Sequence, residues 1–326
     1  MDHARRSFLR LAASGIALPA AAGVAIPQQA YPSRPVHWIV GFAAGGGNDI
    51  VARLLGQFLS ERLGQQFVIE DRAGAGGSIG MAAVLSSPPD GYTIGFVAPN
   101  NAINATLYEN LPFDFIRDSE PIGGTMLLTN VLEVHPSLPV NTVAEFIAYL
   151  KANPGKVSFA SSGVGASPHM SGELFKAMTG TNMLHVPYRG AGAALPDVLA
   201  GRVPVIFDNL PSSIEHIRAG RLRPLGVTVT KRSDALPDVP TIGEIVPGYE
   251  VNVWNGIVAP KGTPPAIIAT LNRTLNEVLA DPRLKARFAE LGGIPMPTTP
   301  AEFGKVVADD TAKWARVIRA ANIKPE

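Results

Sequence analysis

The sequence predicts an α/β protein whose two lobes close on one ligand. Three observations carry that expectation. From Tyr31 onward, short apolar strands alternate with glycine-rich loops and helices, the rhythm of βαβ units and parallel sheets. The chain has 326 residues, a length that suggests two domains. Each half also carries a loop suited to an anion, one at Phe42–Asp49 and one at Ser161–His169.

The first of these loops organises the chain. Val36–Leu55 reads VHWIVGFAAGGGNDIVARLL: a buried strand (Val36–Phe42), a glycine loop (Ala43–Gly47), and a helix opening at Asn48 or Asp49. Three consecutive glycines let the backbone double back and bring its N–H groups close to a guest. Asn48 or Asp49 is expected to cap the helix. The helix's first turn presents unpaired N–H donors and the positive end of a dipole, a site for a carboxylate or phosphate. The plain alternative is a strand-to-helix turn, which needs at most one glycine.

Residues 1–30 read as a twin-arginine export signal. Arg5 and Arg6 precede Ser7-Phe8-Leu9 in a basic stretch, and Leu11–Ala25 is apolar and small. That run is too short, and too interrupted by Pro19, to span a bilayer well. The mature protein is therefore expected outside the cytoplasm, in the periplasm. The formal net charge is +1, and taking away Arg5, Arg6, Arg10 and Asp2 turns it to −1, without the basic stripe a nucleic-acid binder needs. The absence of cysteine excludes thiol catalysis, Cys-ligated zinc and disulfides.

Along the rest of the chain, Gln66–Glu70 is a strand, followed by the glycine-rich run Arg72–Gly80. That run loosely matches a dinucleotide fingerprint, but no second strand ends in an acid about 20 residues on. Close packing at the start of helix Ile79–Ser86 is the preferred explanation. Strand Tyr92–Ala98 delivers Asn100 to the carboxyl edge of the sheet, where a ligand crevice lies. Pro112–Pro121 reads as irregular. Gly123–Val134 is long and apolar enough to cross between lobes, and Leu225–Thr230 would cross back. This gives one lobe of residues 31–128 plus 228–326 and a second of 129–227.

The second loop follows strand Val157–Ala160, with Ser167 as the expected N-cap of helix Met170–Met178 and Pro168 in its first turn. It contains no G-x-S-x-G nucleophile elbow. His169 reads as a helix-start hydrogen-bonder before a catalyst. Strand Val203–Phe207 ends in Asp208-Asn209, where the acid reaches the crevice, caps the next helix, or does both. Helices Pro264–Leu279, Pro282–Leu291 and Pro300–Ala321 close the chain. Six histidines show no metal-binding spacing.

Several motifs, taken together and in order, resemble one family. They are Tyr31–Pro35 (YPSRP), Gly45–Asp49 (GGGND), Arg72–Gly77 (RAGAGG), Pro89–Tyr92 (PDGY), Ala152–Lys156 (ANPGK), Ser167–His169 (SPH), His185–Tyr188 (HVPY), Phe207-Asp208, Lys231–Ser233 (KRS), Leu236–Thr241 (LPDVPT) and Ala259-Pro260. The chain resembles the Bug-type extracytoplasmic solute receptors of tripartite tricarboxylate transporters over nearly its whole mature length. The resemblance implies a type II periplasmic binding protein-like α/β fold, two doubly wound lobes joined by two crossing strands, and hinge closure over a small organic acid. No catalytic constellation is placed by motif, so no enzyme activity, no cofactor and no metal are expected. The resemblance also implies a membrane permease pair as partner, with signalling as the use made of some members, and a monomer is expected.

Carried onto this chain, the ligand-binding residues are Phe42, Ala44, Gly45, Gly46, Asn48 and Asp49 in the first loop. Those in the second are Ser161, Ser162, Gly163, Ala166, Ser167 and His169, with Asp208 nearby and Asn100 from the strand-end argument. Two departures matter. Ala44–Asp49 stands where the family often has Pro-Gly-Gly-Ser/Thr-Asp. Val164-Gly165-Ala166 stands where it often has Gly-Asn-Gly-Thr/Ser, so an amide and a hydroxyl are lost. The expected ligand therefore has a less polar distal part, such as an aromatic carboxylate or a longer dicarboxylate, against which Phe42 and Trp254 are candidates to pack. The competing classes are an exported cofactor-dependent oxidoreductase and a ligand-sensing receptor for a signalling partner.

Overall fold

A computed structural model describes residues 31–321 and 323–324; the expected export segment, 1–30, lies outside the described residues. In chain order the strands are β1 (Val36–Val40), β2 (Phe67–Asp71), β3 (Thr93–Val97), β4 (Ser119–Val134), β5 (Ser158–Ser161), β6 (Leu184–Pro187), β7 (Val205–Asn209), β8 (Arg223–Val227), β9 (Asn252–Pro260) and β10 (Ile294–Pro295). The helices are α1 (Gly47–Leu63), α2 (Ser78–Leu85), α3 (Pro99–Leu107), α4 (Phe115–Asp118), α5 (Val143–Ala152), α6 (Ser167–Thr179), α7 (Ala191–Leu199), α8 (Leu210–Arg218), α9 (Pro265–Ala280), α10 (Pro282–Glu290) and α11 (Pro300–Ala321).

Two sheets share one strand. The order β2-β1-β3-β9-β4 builds the first and β4-β7-β5-β6 the second, with β10 and β8 also paired to β4. The 16-residue β4 spans both sheets: Ser119–Thr129 pairs with β9, and Asn130–Val134 pairs with β7. Within each half the βαβ strands are parallel, as expected: β1 with β2 and β3, and β5 with β6 and β7. The crossing strands depart from that expectation. β4 runs antiparallel to β7, β8 and β9, and β9 runs antiparallel to β3. A chain that leaves the first half along β4 and returns along β9 must run the two in opposite directions.

The crossing point is stitched locally. Thr228 N–H donates to the Asn130 carbonyl at 3.0 Å, Val251 N–H donates to the Thr228 carbonyl at 2.9 Å, and Thr228 Oγ1 donates to the Val251 carbonyl at 2.8 Å. Strands buried on both faces read as continuous apolar runs, which is why β1 (VHWIV) and β7 (VIFDN) show little alternation. Trp38, Phe58 and Phe96 fill the core of the first sheet under α1 and α9, and Phe146, Phe159, Phe175, Phe207 and Tyr249 fill that of the second. Each such side chain contributes about 1.5–3 kcal/mol by leaving water.

Helix α3 follows directly on β3 and was not expected, nor were α4 inside the Pro112–Pro121 connection and the two-residue β10. All are short or lack a clear apolar period. Trp254 is core: it packs edge-on against Phe303 and donates Nε1–H to Asp310 at 2.9 Å.

Candidate functional site

Both expected loops lie at the carboxyl ends of parallel strands and face each other across a closed cleft. The first runs from β1 into α1. Its cap is Gly46, not Asn48 or Asp49, because the helix starts at Gly47. Asp49 acts from inside the first turn: its Oδ2 accepts the Gly45 N–H at 2.7 Å, and its Oδ1 pairs with Arg53 Nε at 2.6 Å. Arg53 in turn holds Asp71 at 2.7 Å. Gly45, at φ +77°, takes the left-handed turn this bond requires.

The second loop runs from β5 into α6, whose cap is Ala166; the helix begins at Ser167 itself. A pair of stacked imidazoles, His169 buried and His185 half-buried, fixes this loop. The rings of His169 and His185 lie 4.2 Å apart. His169 Nδ1 accepts the Gly165 N–H at 3.3 Å, so the neutral ring carries its proton on Nε2. His185 Nε2 and the Ser161 hydroxyl are hydrogen-bonded at 2.6 Å, and that hydroxyl accepts the Gly163 N–H at 3.1 Å. Burial first, and His185 beside it second, push His169 down to about 3; burial and then Lys176 push His185 down to about 4. Both rings are uncharged at neutral pH.

Between the loops lies a cavity of about 20 Å³, room for about one ordered water. Phe42, Gly46, Gly47 and Asn48 line it from the first loop, Ala98 and Asn100 from the β3 end, Ser162, Ala166, Ser167 and Pro168 from the second loop, and Ala191 and Asn209 from neighbouring turns. These positions open α1, α3, α6, α7 and α8. Five helix N-termini therefore converge on one point, each with unpaired first-turn N–H groups and a partial positive charge. The polar lining consists of the amides Asn48, Asn100 and Asn209 and the hydroxyls Ser162 and Ser167, with no charged side chain. Such a wall accepts an anion without a cation.

A second compartment of about 200 Å³ shares Phe42 and Ser162 with the first. Gly74–Gly77, Tyr108, Gly163, Val164 and Pro187–Arg189 complete it. The glycine run thus has two tasks. It packs closely, since a Cβ on Gly41 would sit 2.7 Å from the Gly77 carbonyl oxygen, and it also walls the cleft.

Of the expected residues, Phe42, Gly46, Asn48, Asn100, Ser162, Ala166 and Ser167 line the small cavity, and Gly163 lines the larger one. Ala44, Gly45, Asp49, Ser161, His169 and Asp208 line neither. Asp49, Ser161 and His169 instead set the loop backbones. Asp208 is fully buried and accepts from the Asn209 N–H at 2.8 Å and the Ser212 hydroxyl at 2.6 Å, just ahead of α8, whose cap is Asn209. Burial raises its carboxyl to about 7, and nearby Glu133 is also pushed well up.

Asn209 takes the place expected of Asp208. Its Nδ2 donates to Asn130 Oδ1 at 2.5 Å and to Ser167 Oγ at 3.4 Å, while Asn130 Nδ2 donates to Ser171 at 2.9 Å. The site is thereby tied to the crossing strand. Alternation along β7 puts Asp208 and Asn209 on opposite faces, but an all-buried strand gives no polarity pattern to say which face is the cleft.

Glycines make the closed contact possible. Ala43 N–H donates to the Arg189 carbonyl at 2.9 Å across the cleft. A Cβ on Gly192 would lie 2.0 Å from the Ala44 carbonyl oxygen, and one on Gly76 would lie 2.3 Å from that of Val164. Among the described residues, no group of three or more His, Cys, Asp or Glu side chains is placed to hold a metal, and no helix is long and apolar enough to cross a membrane.

Two α/β lobes joined by crossing strands, with a polar, uncharged cavity between them, define the type II solute-binding receptors. The chain belongs to the tripartite tricarboxylate transporter family receptors (TctC), which match residues 51–323. It is 38% identical to protein BugT of Bordetella pertussis over 96% of this chain and 98% of that one. Among solved structures, Rpa4515 of R. palustris with adipate superposes with a TM-score of 0.88 at 38% identity, covering 91% of this chain and all of that one. MatC of Rhodopseudomonas palustris with bound malate gives a TM-score of 0.84 at 28% identity, covering 88% and 100%. The protein is thus a periplasmic solute-binding receptor and not an enzyme, which removes the oxidoreductase alternative.

Proposed function

We propose that this receptor captures a small organic acid by one carboxylate in the cavity between the two loops and hands it to the membrane permease of a tripartite tricarboxylate-type transporter. The observation that carries this reading is the convergence of five helix N-termini on a cavity lined by amides and hydroxyls alone. Gly46, Gly47, Asn48, Asn100, Ser162, Ser167 and Asn209 are the residues assigned to the carboxylate, some through an ordered water. Relatives solved with adipate and malate support a carboxylate ligand. The distal part of the acid enters the larger compartment, between Phe42, Tyr108, Val164 and Pro187, with the exposed Arg189 at its rim. That wall supports an acid with an apolar middle, a longer dicarboxylate or an aromatic carboxylate.

Closure moves residues 129–227 against residues 31–128 plus 228–326, about the crossing point at Thr129–Asn130 and Thr228. The ligand favours the closed form only through its extra contacts there. The receptor works as a monomer, which light scattering at micromolar concentration tests. Export uses the twin-arginine pair, so Arg5→Lys with Arg6→Lys should leave the chain in the cytoplasm.

The direct test is thermal shift against acetate, malate, adipate, citrate, benzoate and phthalate. A ligand at 100 times its Kd stabilises by roughly 2.7 kcal/mol. The largest shift is expected from adipate or an aromatic acid. Equal shifts for citrate and phthalate would contradict the apolar-middle assignment.

A further inference from the structure

A cavity larger than either cleft compartment lies away from the cleft, beside the crossing point. It holds about 860 Å³ and takes its walls from β4, β9, β10, α9, α10 and the segment after β8. Its apolar surface includes a cross-strand pair. Leu127 on β4 and Ile294 on β10 are register partners, and they stay 41% and 65% exposed. A soluble surface seldom leaves two large aliphatic side chains side by side in water over a deep groove; such patches mark interaction sites. Val253 and Leu279 extend the apolar wall.

The groove is also basic. Lys231, Arg232 and Lys285 line it against one acid, Asp234. Arg232 is held in a two-point pair with Glu244 at 3.0 and 2.8 Å. Lys231 and Lys285 have no ion-pair partner among the described residues. Two free ammonium groups beside an apolar trough match one kind of small molecule, a single-chain amphiphile with an anionic head.

We propose that this groove is a second ligand site, which binds a medium-chain carboxylate with its tail along Leu127 and Ile294 and its head between Lys231 and Lys285. Thr129, Val229 and Asn252 line the groove and are the chain neighbours of Asn130, Thr228 and Val251, whose hydrogen bonds form the crossing point. The backbone that rotates as the lobes close therefore reshapes the groove. Occupancy is linked to closure, and each ligand must change the other's affinity by the same factor. This linkage, though not the site itself, rests on the carboxylate reading of the cleft.

The test uses the full mature chain and decanoate below its micellar concentration, followed by calorimetry. Decanoate is expected to bind one to one, and to change in Gly192→Ala, a substitution aimed at the cleft, by no more than the small factor that linkage to closure allows. Binding should weaken at least tenfold in Ile294→Glu, an exposed position whose change spares the fold, and several-fold in Lys285→Glu. Decyl maltoside, with the same tail and no charge, and acetate, with the head and no tail, should both bind at least tenfold more weakly than decanoate. No binding of decanoate, equal binding of decyl maltoside, or loss in Gly192→Ala with full binding in Ile294→Glu would each overturn the site. Unchanged decanoate affinity when the cleft is saturated with its best acid would overturn the linkage. A cleft that binds no acid leaves the decanoate result standing, so the two readings fail separately.

Discussion

The two loops that face each other across the cleft look alike in sequence and are held by opposite means. Each is a glycine-rich strand-to-helix turn. The first is fixed by charge, through Gly45 N–H on Asp49, Asp49 on Arg53, and Arg53 on Asp71, with Arg53 half-exposed. The second is fixed by two uncharged imidazoles, one buried and one half-buried, and a serine. A half-exposed ion pair is screened by salt and contributes at most about 1 kcal/mol. A largely buried neutral pair ignores salt but resists protonation. The first loop should therefore answer to ionic strength and the second to acid.

The comparison can be broken most severely at the line where the loops close. Gly192 sits in α7, where alanine is the better helix former by about 1 kcal/mol. Its Cβ would press on the Ala44 carbonyl. Gly192→Ala should leave the melting temperature unchanged or higher, yet weaken acid binding at least 100-fold, about 2.7 kcal/mol. A binding loss that came with unfolding would show the glycine to be structural only.

Next in size is Asn209→Ala. It removes an amide from the cavity and leaves Asn130 Oδ1 and Ser167 without their donor. An unsatisfied buried group costs about 1–3 kcal/mol, so affinity should fall about tenfold or more by calorimetry. Asp208→Asn should leave affinity within about twofold, since Asp208 faces away from the cleft, and a larger loss would restore the acid to the site.

Acid separates the loops. His169 and His185 have folded values of about 3 and about 4, below the ordinary histidine value of about 6.5. A depressed value means the contribution to stability is complete above about pH 6.5 and is lost as pH falls toward 4. His169→Asn keeps an acceptor for the Gly165 N–H and removes one titration. Its melting temperature should fall less than the wild type's between pH 6.5 and 4.5. Asp208 has the opposite sign. Its raised value of about 7 gives stability that is complete below about pH 3.9 and lost as pH rises through 7. Asp208→Asn should therefore gain on the wild type in melting temperature from pH 5 to pH 8.

The smallest effect belongs to the first loop. Asp49→Asn still accepts from Gly45 N–H but gives up the Arg53 pair. Affinity should fall only about two- to fivefold, and the loss should shrink in 0.5 M salt.

Much of this was legible in the residues. The strand–loop–helix alternation gave the two lobes, and Gly123–Val134 and Leu225–Thr230 gave the crossings that β4, β8 and Thr228 make. Both loops lie where glycines and hydroxyls placed them. What escaped was side-chain direction. Asp49, Ser161, His169 and Asp208 are polar residues in the right loops, but they turn back onto their own backbones. Short loops must satisfy their buried N–H groups, and the nearest polar side chains do so. Asn209 and Ala191 reach the cavity only because remote segments converge there. Helix α3 hides because it is only nine residues long, follows β3 without a loop, and is rich in asparagine, a weak helix former.

The most direct measurement is a calorimetric titration of the mature chain, and of Gly46→Leu, with the acid that gives the largest thermal shift. A Cβ at Gly46 meets only ordinary contacts, at 3.4 Å or more, so the fold tolerates a side chain there, but a leucine fills the cavity. The account predicts one saturable site in the wild type and none in Gly46→Leu, with unchanged circular dichroism. Equal binding by both proteins would contradict the assignment of the carboxylate to this cavity.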